Sequence, residues 1–163
     1  MFITYVFKFQ MSNVFYKEGG LFMITGGRFL SVSAKKTKEV PISAVNIDIS
    51  LSSITLAQTG DLQINYIYTV KYEEDVGELI IEGIIYDRLD SQEQAKAIVS
   101  QFSSDKKNLP QDFLVRVINS INYICSINSP LPLRLIDLAP PILPPQLQLN
   151  PEDAVATSEP QQP

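Results

Sequence analysis

The sequence predicts an α+β protein: a four-stranded antiparallel sheet, then two helices packed on one face, then a proline-rich extended C-terminal arm. Three observations predict this class. Residues 28–86 alternate apolar and polar side chains with the period of β-strands. Two segments with helical spacing follow between residues 91 and 128. Residues 129–145 then place six prolines among leucines and isoleucines.

Strands are predicted over residues 28–34, 45–51, 62–72 and 78–86. The clearest pattern starts at Val45, where every second residue is apolar as far as residue 51. The apolar parity then slips by one position, which predicts a β-bulge near Ser52 and Ser53. The five-residue connection "EEDVG" joins the last two strands and predicts an antiparallel hairpin.

Both helices begin at recognisable signals. Ser91 and Gln94 have the spacing of a capping box, and Pro110 suits the first turn of the second helix. In the second helix, the apolar residues share one arc and should lie on the sheet. The opposite arc is polar but almost uncharged, which is typical of contact surfaces as well as of a lightly polar solvated face. It predicts an oligomer interface formed by Arg116, Asn119, Ser120, Asn122 and Tyr123.

The arm combines residues that seek burial with residues that break regular structure. Leucines at alternate positions are separated by Pro132 and Arg134, a pattern of extended backbone. Because proline has no N–H to donate, it cannot pair in a central strand. The arm is therefore predicted to run extended over an apolar surface.

The remaining residues divide into two flanking segments around a single domain of residues 28–146. Residues 1–27 are an extra N-terminal segment, and Met23 is a candidate for the true start because "KEGGLFM" can be encoded with a purine-rich ribosome-binding sequence. The alternative is a pair of strands, 2–9 and 21–25, joined by a Gly-Gly turn. Residues 147–163 are polar and predicted to be a disordered tail.

Composition removes many functional classes. The chain has no histidine and one cysteine, Cys125, so an internal disulfide, a Cys/His zinc site and a Ser-His pair are all excluded. The net charge of -5 disfavours nucleic-acid binding and docking on anionic lipid. No apolar run has the length of a membrane helix. We predict a cytoplasmic protein without catalytic residues, metal or cofactor.

The second helix and the arm resemble the SecB export-chaperone family. The helix "PQDFLVRVINSINYIC" carries the aromatic and arginine of the family's helix as Phe113 and Arg116. The arm "PLRLIDLAP" is similar to the family's Pro-x-Leu-x-Leu-Ala-Pro segment. Two features depart from the family pattern: Ile136 and Asp137 separate the leucines, and Phe113 lies one residue closer to Arg116.

The resemblance implies an ATP-independent holdase that binds unfolded or export-destined polypeptides in apolar grooves. It also implies a homo-oligomer, a dimer or tetramer, whose partner is an unfolded polypeptide or one specific protein client. The candidate client-binding residues are Tyr66, Tyr68, Leu133, Leu135, Leu138, Ile142 and Leu143. For each of them, packing in the core is the alternative role. The alternative function is a small non-enzymatic interaction subunit of a larger prokaryotic or viral assembly that binds one folded partner.

Overall fold

The structure, a computed structural model, describes residues 3–5, 23–104 and 109–141. In these ranges the strands are β1 (Ile3–Tyr5), β2 (Met23–Lys36), β3 (Val45–Leu56), β4 (Leu62–Tyr72) and β5 (Gly77–Arg88). The helices are α1 (Gln92–Ser104), α2 (Gln111–Asn128) and α3 (Pro130–Arg134). The predicted fold class, an antiparallel sheet followed by two helices, is confirmed.

The described strands form one antiparallel sheet in the order β1-β2-β5-β4-β3. Strands β3, β4 and β5 are consecutive hairpins, and β2 pairs with β5 on the far side of them. The tyrosines and most aliphatic side chains of β4 lie on the face under the helices, whereas β5 carries isoleucines on both faces. The burial of β4 alternates from Leu62 to Tyr72 with every second residue buried.

The four predicted strands agree with the structure in order, but β2 has a register shift between Phe29 and Ser31 that buries Phe29 and exposes Leu30. The register between β3 and β4 shifts between Leu51 and Ser53, as the slip in the apolar pattern predicted. Residues 23–25 of the predicted strand 21–25 and residues 28–34 belong to one strand, β2, which crosses Gly26 and Gly27 without ending. In addition, β1 pairs with residues 32–34 of β2, so the sheet has a short strand beyond the predicted four.

The arm differs from the prediction. Residues 130–134 form the helix α3 instead of an extended segment. Both of its prolines lie in the first turn, where a helix has no acceptor for the N–H groups, so their missing donors cost nothing. The first backbone bond of the turn is donated by the N–H of Leu133 to the carbonyl of Ser129, 3.2 Å away.

A Schellman motif ends α3. The N–H of Leu138 donates to the carbonyl of Leu133 at 2.9 Å, and the N–H of Asp137 donates to that of Arg134 at 3.3 Å. Asp137 has the left-handed backbone that this motif needs, with φ of 55°. Leu133 and Leu138 are both buried, which is the apolar contact that accompanies the motif. Residues 135–141 therefore leave the helix in a fixed direction.

Candidate functional site

The inner face of the sheet is a row of tyrosines covered by α2 and the arm. Tyr66 and Tyr68 are 2% and 0% exposed, so neither can touch a client in this conformation. Their assignment as client-binding residues is wrong, because the face that carries them is the one on which α2 packs. The alternative role, packing in the core, is the one the structure shows.

Each buried tyrosine hydroxyl has a polar partner. The Tyr68 hydroxyl lies 3.3 Å from Oγ of Ser126, and that of Tyr72 donates to the carbonyl of Ala139 at 2.6 Å. The Cys125 thiol lies 3.7 Å from the Tyr66 hydroxyl. Burial raises the pKa of Cys125 to about 12, so this thiol stays protonated and unreactive. These contacts fix α2 and the arm on the sheet.

The predicted interface arc of α2 is only partly a surface. Asn122 is 3% exposed, and its side-chain oxygen accepts a hydrogen bond from Ser126 at 3.4 Å. The prediction that Asn122 faces a partner is therefore wrong: it belongs to the polar contacts above the tyrosines. Asn119 and Ser120 are half-buried, and Tyr123 is exposed. For these three residues the interface stays a prediction.

Arg116 binds inside the chain. Its guanidinium nitrogen lies 2.6 Å from Oδ2 of Asp87, a fully buried carboxylate, and its carbon lies 5.6 Å from the ring centre of Phe113. Desolvation raises the pKa of Asp87, although the arginine opposes this shift. Removing one member of such a pair leaves a buried charge without compensation. Arg116 therefore compensates the buried charge of Asp87, a structural role that its assignment to an interface did not include.

The arm leucines divide into two groups. Leu133 and Leu138 are buried and attach the arm to the core, so they are not client-binding residues in this conformation. Leu135 is 57% exposed, as the prediction requires. Ile142 and Leu143 lie outside the described residues.

Leu135 belongs to a row of exposed apolar side chains. Ile127 is 52% exposed and Leu131 is 59% exposed, and the three residues are spaced by four along α2, α3 and the residue that follows. Residues four apart lie on the same side of a helix. We call Ile127, Leu131 and Leu135 the apolar patch. Tyr123, 43% exposed, precedes it at the same spacing.

A cavity of about 520 Å³ lies beside the arm, between residues 36–42 and residues 134–139. Lys36 borders it and is held by Glu39 at 2.7 Å and by Asp137 at 3.5 Å. The hydrogen bond to Glu39 is the main reason that the pKa of Lys36 is raised. Arg134 also borders the cavity, so two basic and two acidic side chains line it.

None of the described helices is both long and apolar enough to cross a membrane. Within the same residues, no cluster of three or more acidic, cysteine or histidine side chains could hold a metal ion.

The sequence prediction missed Ile127 and Leu131. Both repeat the spacing that leads from Tyr123 to Leu135, and this spacing was the signal that could have found them. The extended assignment of the arm concealed it, because a spacing of four has meaning only on a helix.

The chain is thus an α+β protein with one helix-covered sheet face and an exposed apolar patch at the end of its second long helix. No family model and no curated protein matches it. Among solved structures, it is similar to the Mycobacterium tuberculosis SecB-like chaperone Rv1957, in complex with a ChAD peptide from the Rv1956 HigA1 antitoxin. The identity is 11% and the TM-score 0.42, over 78% of this chain and 88% of the other.

Proposed function

We propose that the protein is an ATP-independent chaperone that binds unfolded or export-destined polypeptides and acts as a homo-oligomer. The observation that carries the proposal is the apolar patch. Three aliphatic side chains, each more than half exposed, recur every four residues along α2, α3 and the residue that follows. Exposed apolar groups of this kind mark surfaces that bind another chain.

Burial of these side chains would provide the binding free energy. Removing apolar area from water contributes about 25 cal/mol per Å², and an unfolded polypeptide offers many apolar segments. One small patch binds weakly, whereas several linked patches bind one long client tightly because the later contacts form within one complex. This is the physical reason for proposing an oligomer.

The test is suppression of aggregation by the native protein and by the variant I127S/L131S/L135S. A reduced and carboxymethylated protein that cannot refold serves as the client. The triple variant should lose most of the protection, because polar groups replace the surface that binds. The control, L30S, removes an exposed apolar side chain of β2 that does not belong to the patch and should protect as well as the native protein.

Two results would contradict the proposal. Native protein that gives no protection would leave the interaction subunit, which binds one folded partner, as the better prediction. Equal loss in the triple variant and the control would show that the patch has no special role. Light scattering after size exclusion tests the oligomer, and a monomer would remove that part of the proposal. The cytoplasmic location and the lack of a cofactor stay predictions.

A further inference from the structure

Strand β3 is an edge of the sheet with one open side. Its twelve residues, Val45–Leu56, pair with β4, and no other described strand lies beside it, although helix α1 contacts this strand. Half of the backbone N–H and C=O groups of an edge strand point away from its neighbour. This side of β3 is therefore a template for a further strand.

Residues 45–51 of this edge lack most of the features that usually prevent such pairing. Natural edge strands are commonly protected by lysines, prolines, short length or bulges. Strand β3 contains no proline and no lysine, and Asp48 is its single charged residue. Its bulge lies between Leu51 and Ser53, so residues 45–51 form a regular stretch of seven positions.

The two faces of this stretch have opposite character. On the side of the helices, Ile47, Ile49 and Leu51 are half-buried and pack against the core. On the face of the sheet away from the helices, Asn46, Asp48 and Ser50 are exposed and carry one negative charge. A strand added here would continue the apolar row at every second residue. Its other residues would face solvent beside Asp48.

We propose that β3 binds an extended polypeptide segment as an additional antiparallel strand, with apolar residues at every second position and uncharged or basic residues between them. The inference rests on the proposed function and names the client pattern that it recognises. Backbone hydrogen bonds contribute affinity for any such sequence, and the apolar row selects the alternation. The apolar patch then provides a second contact for the same chain.

A second copy of this protein fits the edge less well. The bulge confines a symmetric β3–β3 pair to residues 45–51. Using all seven positions places the two-fold axis at the central residue, Asp48, so that two carboxylates face each other. Like charges directly opposite each other destabilise paired strands.

The test uses a fluorescent nine-residue peptide of alternating valine and lysine, with anisotropy as the measurement. Two further peptides carry backbone N-methyl groups on either the odd or the even residues. Because only alternate N–H groups of an added strand face β3, one methylated peptide should bind about a hundredfold more weakly. The other should bind within about twofold of the parent, since its blocked groups face solvent.

Reversing the charge at residue 48 tests whether the peptide binds at the edge formed by β3. The variant Asp48→Lys should bind the lysine peptide several-fold more weakly and a valine-glutamate peptide more tightly. Glu82→Lys is the matched control. Glu82 lies on β5, on the same exposed face of the sheet as Asp48, with β4 between the two strands. This variant should change neither affinity. Screening at about 0.15 M salt limits the effect of charges at that distance.

The outcomes separate the two proposals. Equal affinity for both methylated peptides, or no binding of the parent peptide by protein that still protects the unfolded client, overturns strand addition and leaves the proposed function intact. Failure of both the peptide and the aggregation assay overturns the proposed function as well.

Discussion

Two leucines of the arm, Leu133 and Leu135, lie two residues apart, and the same substitution should destabilise the fold strongly at the first and only slightly at the second. Leu133 is 0% exposed and Leu135 is 57% exposed. Truncating a fully buried leucine to alanine loses about 2 kcal/mol of transfer free energy and adds a cavity cost, giving about 3 kcal/mol in total. Leu133→Ala should lose this much free energy of unfolding. Leu135→Ala should lose about 0.5 kcal/mol or less, as exposed positions do.

The assay is urea unfolding followed by circular dichroism, with comparison of midpoints at equal slope. The same two variants are then measured for protection of the unfolded client. Leu135→Ala should weaken protection while it leaves stability nearly unchanged. The reasoning is refuted if both variants lose similar stability, since the arm would then not be attached through Leu133 as described.

Three further predictions address the supports of the site. A methyl group at Gly83 would overlap the ring and hydroxyl of Tyr66, so Gly83→Ala should cost about 1–3 kcal/mol, and adding Tyr66→Leu should recover part of it in a double-mutant cycle. Asp137→Gly should raise the free energy of unfolding by about 0.5–1 kcal/mol, because glycine adopts the left-handed backbone more easily; no gain in the urea midpoint would contradict this. The hydrogen bond from Arg88 lowers the pKa of Asp61 in the folded protein. The stabilisation from this pair is therefore present at pH values above 3.8, the ordinary pKa of the carboxyl group, and is lost as the pH falls through the lower pKa of the folded state. Asp61→Asn should therefore flatten the acid limb of a stability–pH curve, and an unchanged limb would show that the pair contributes little.

The sheet could be predicted from the sequence because its signal is local. Each strand needs only alternate apolar residues, and β4 has them from Leu62 to Tyr72, the bounds that the structure shows. The bulge was predictable for the same reason, since a change of apolar parity within one strand requires an extra residue.

The arm and the outer arc of α2 could not be predicted in the same way. Prolines suggested an extended chain, but Pro130 and Pro132 are compatible with the first turn of a helix as well. The polar arc suggested a partner interface or solvent, but Ser126 contacts the buried hydroxyl of Tyr68 and donates to Asn122. Both errors have one cause: a local sequence pattern does not show which tertiary contacts a residue makes.

The arrangement of the strands has a consequence for how the chain folds. The hairpins β3–β4 and β4–β5 join strands that are neighbours in sequence. Strand β2 pairs with β5 across two intervening strands, as in the pair Met23 and Arg88, so this pairing can form only after β5 has been synthesised. Contacts between distant residues require closure of a long loop and slow the folding reaction. Folding should therefore begin in the three-strand meander, and docking of β2 should be the late step, during which a newly made chain has two open sheet edges.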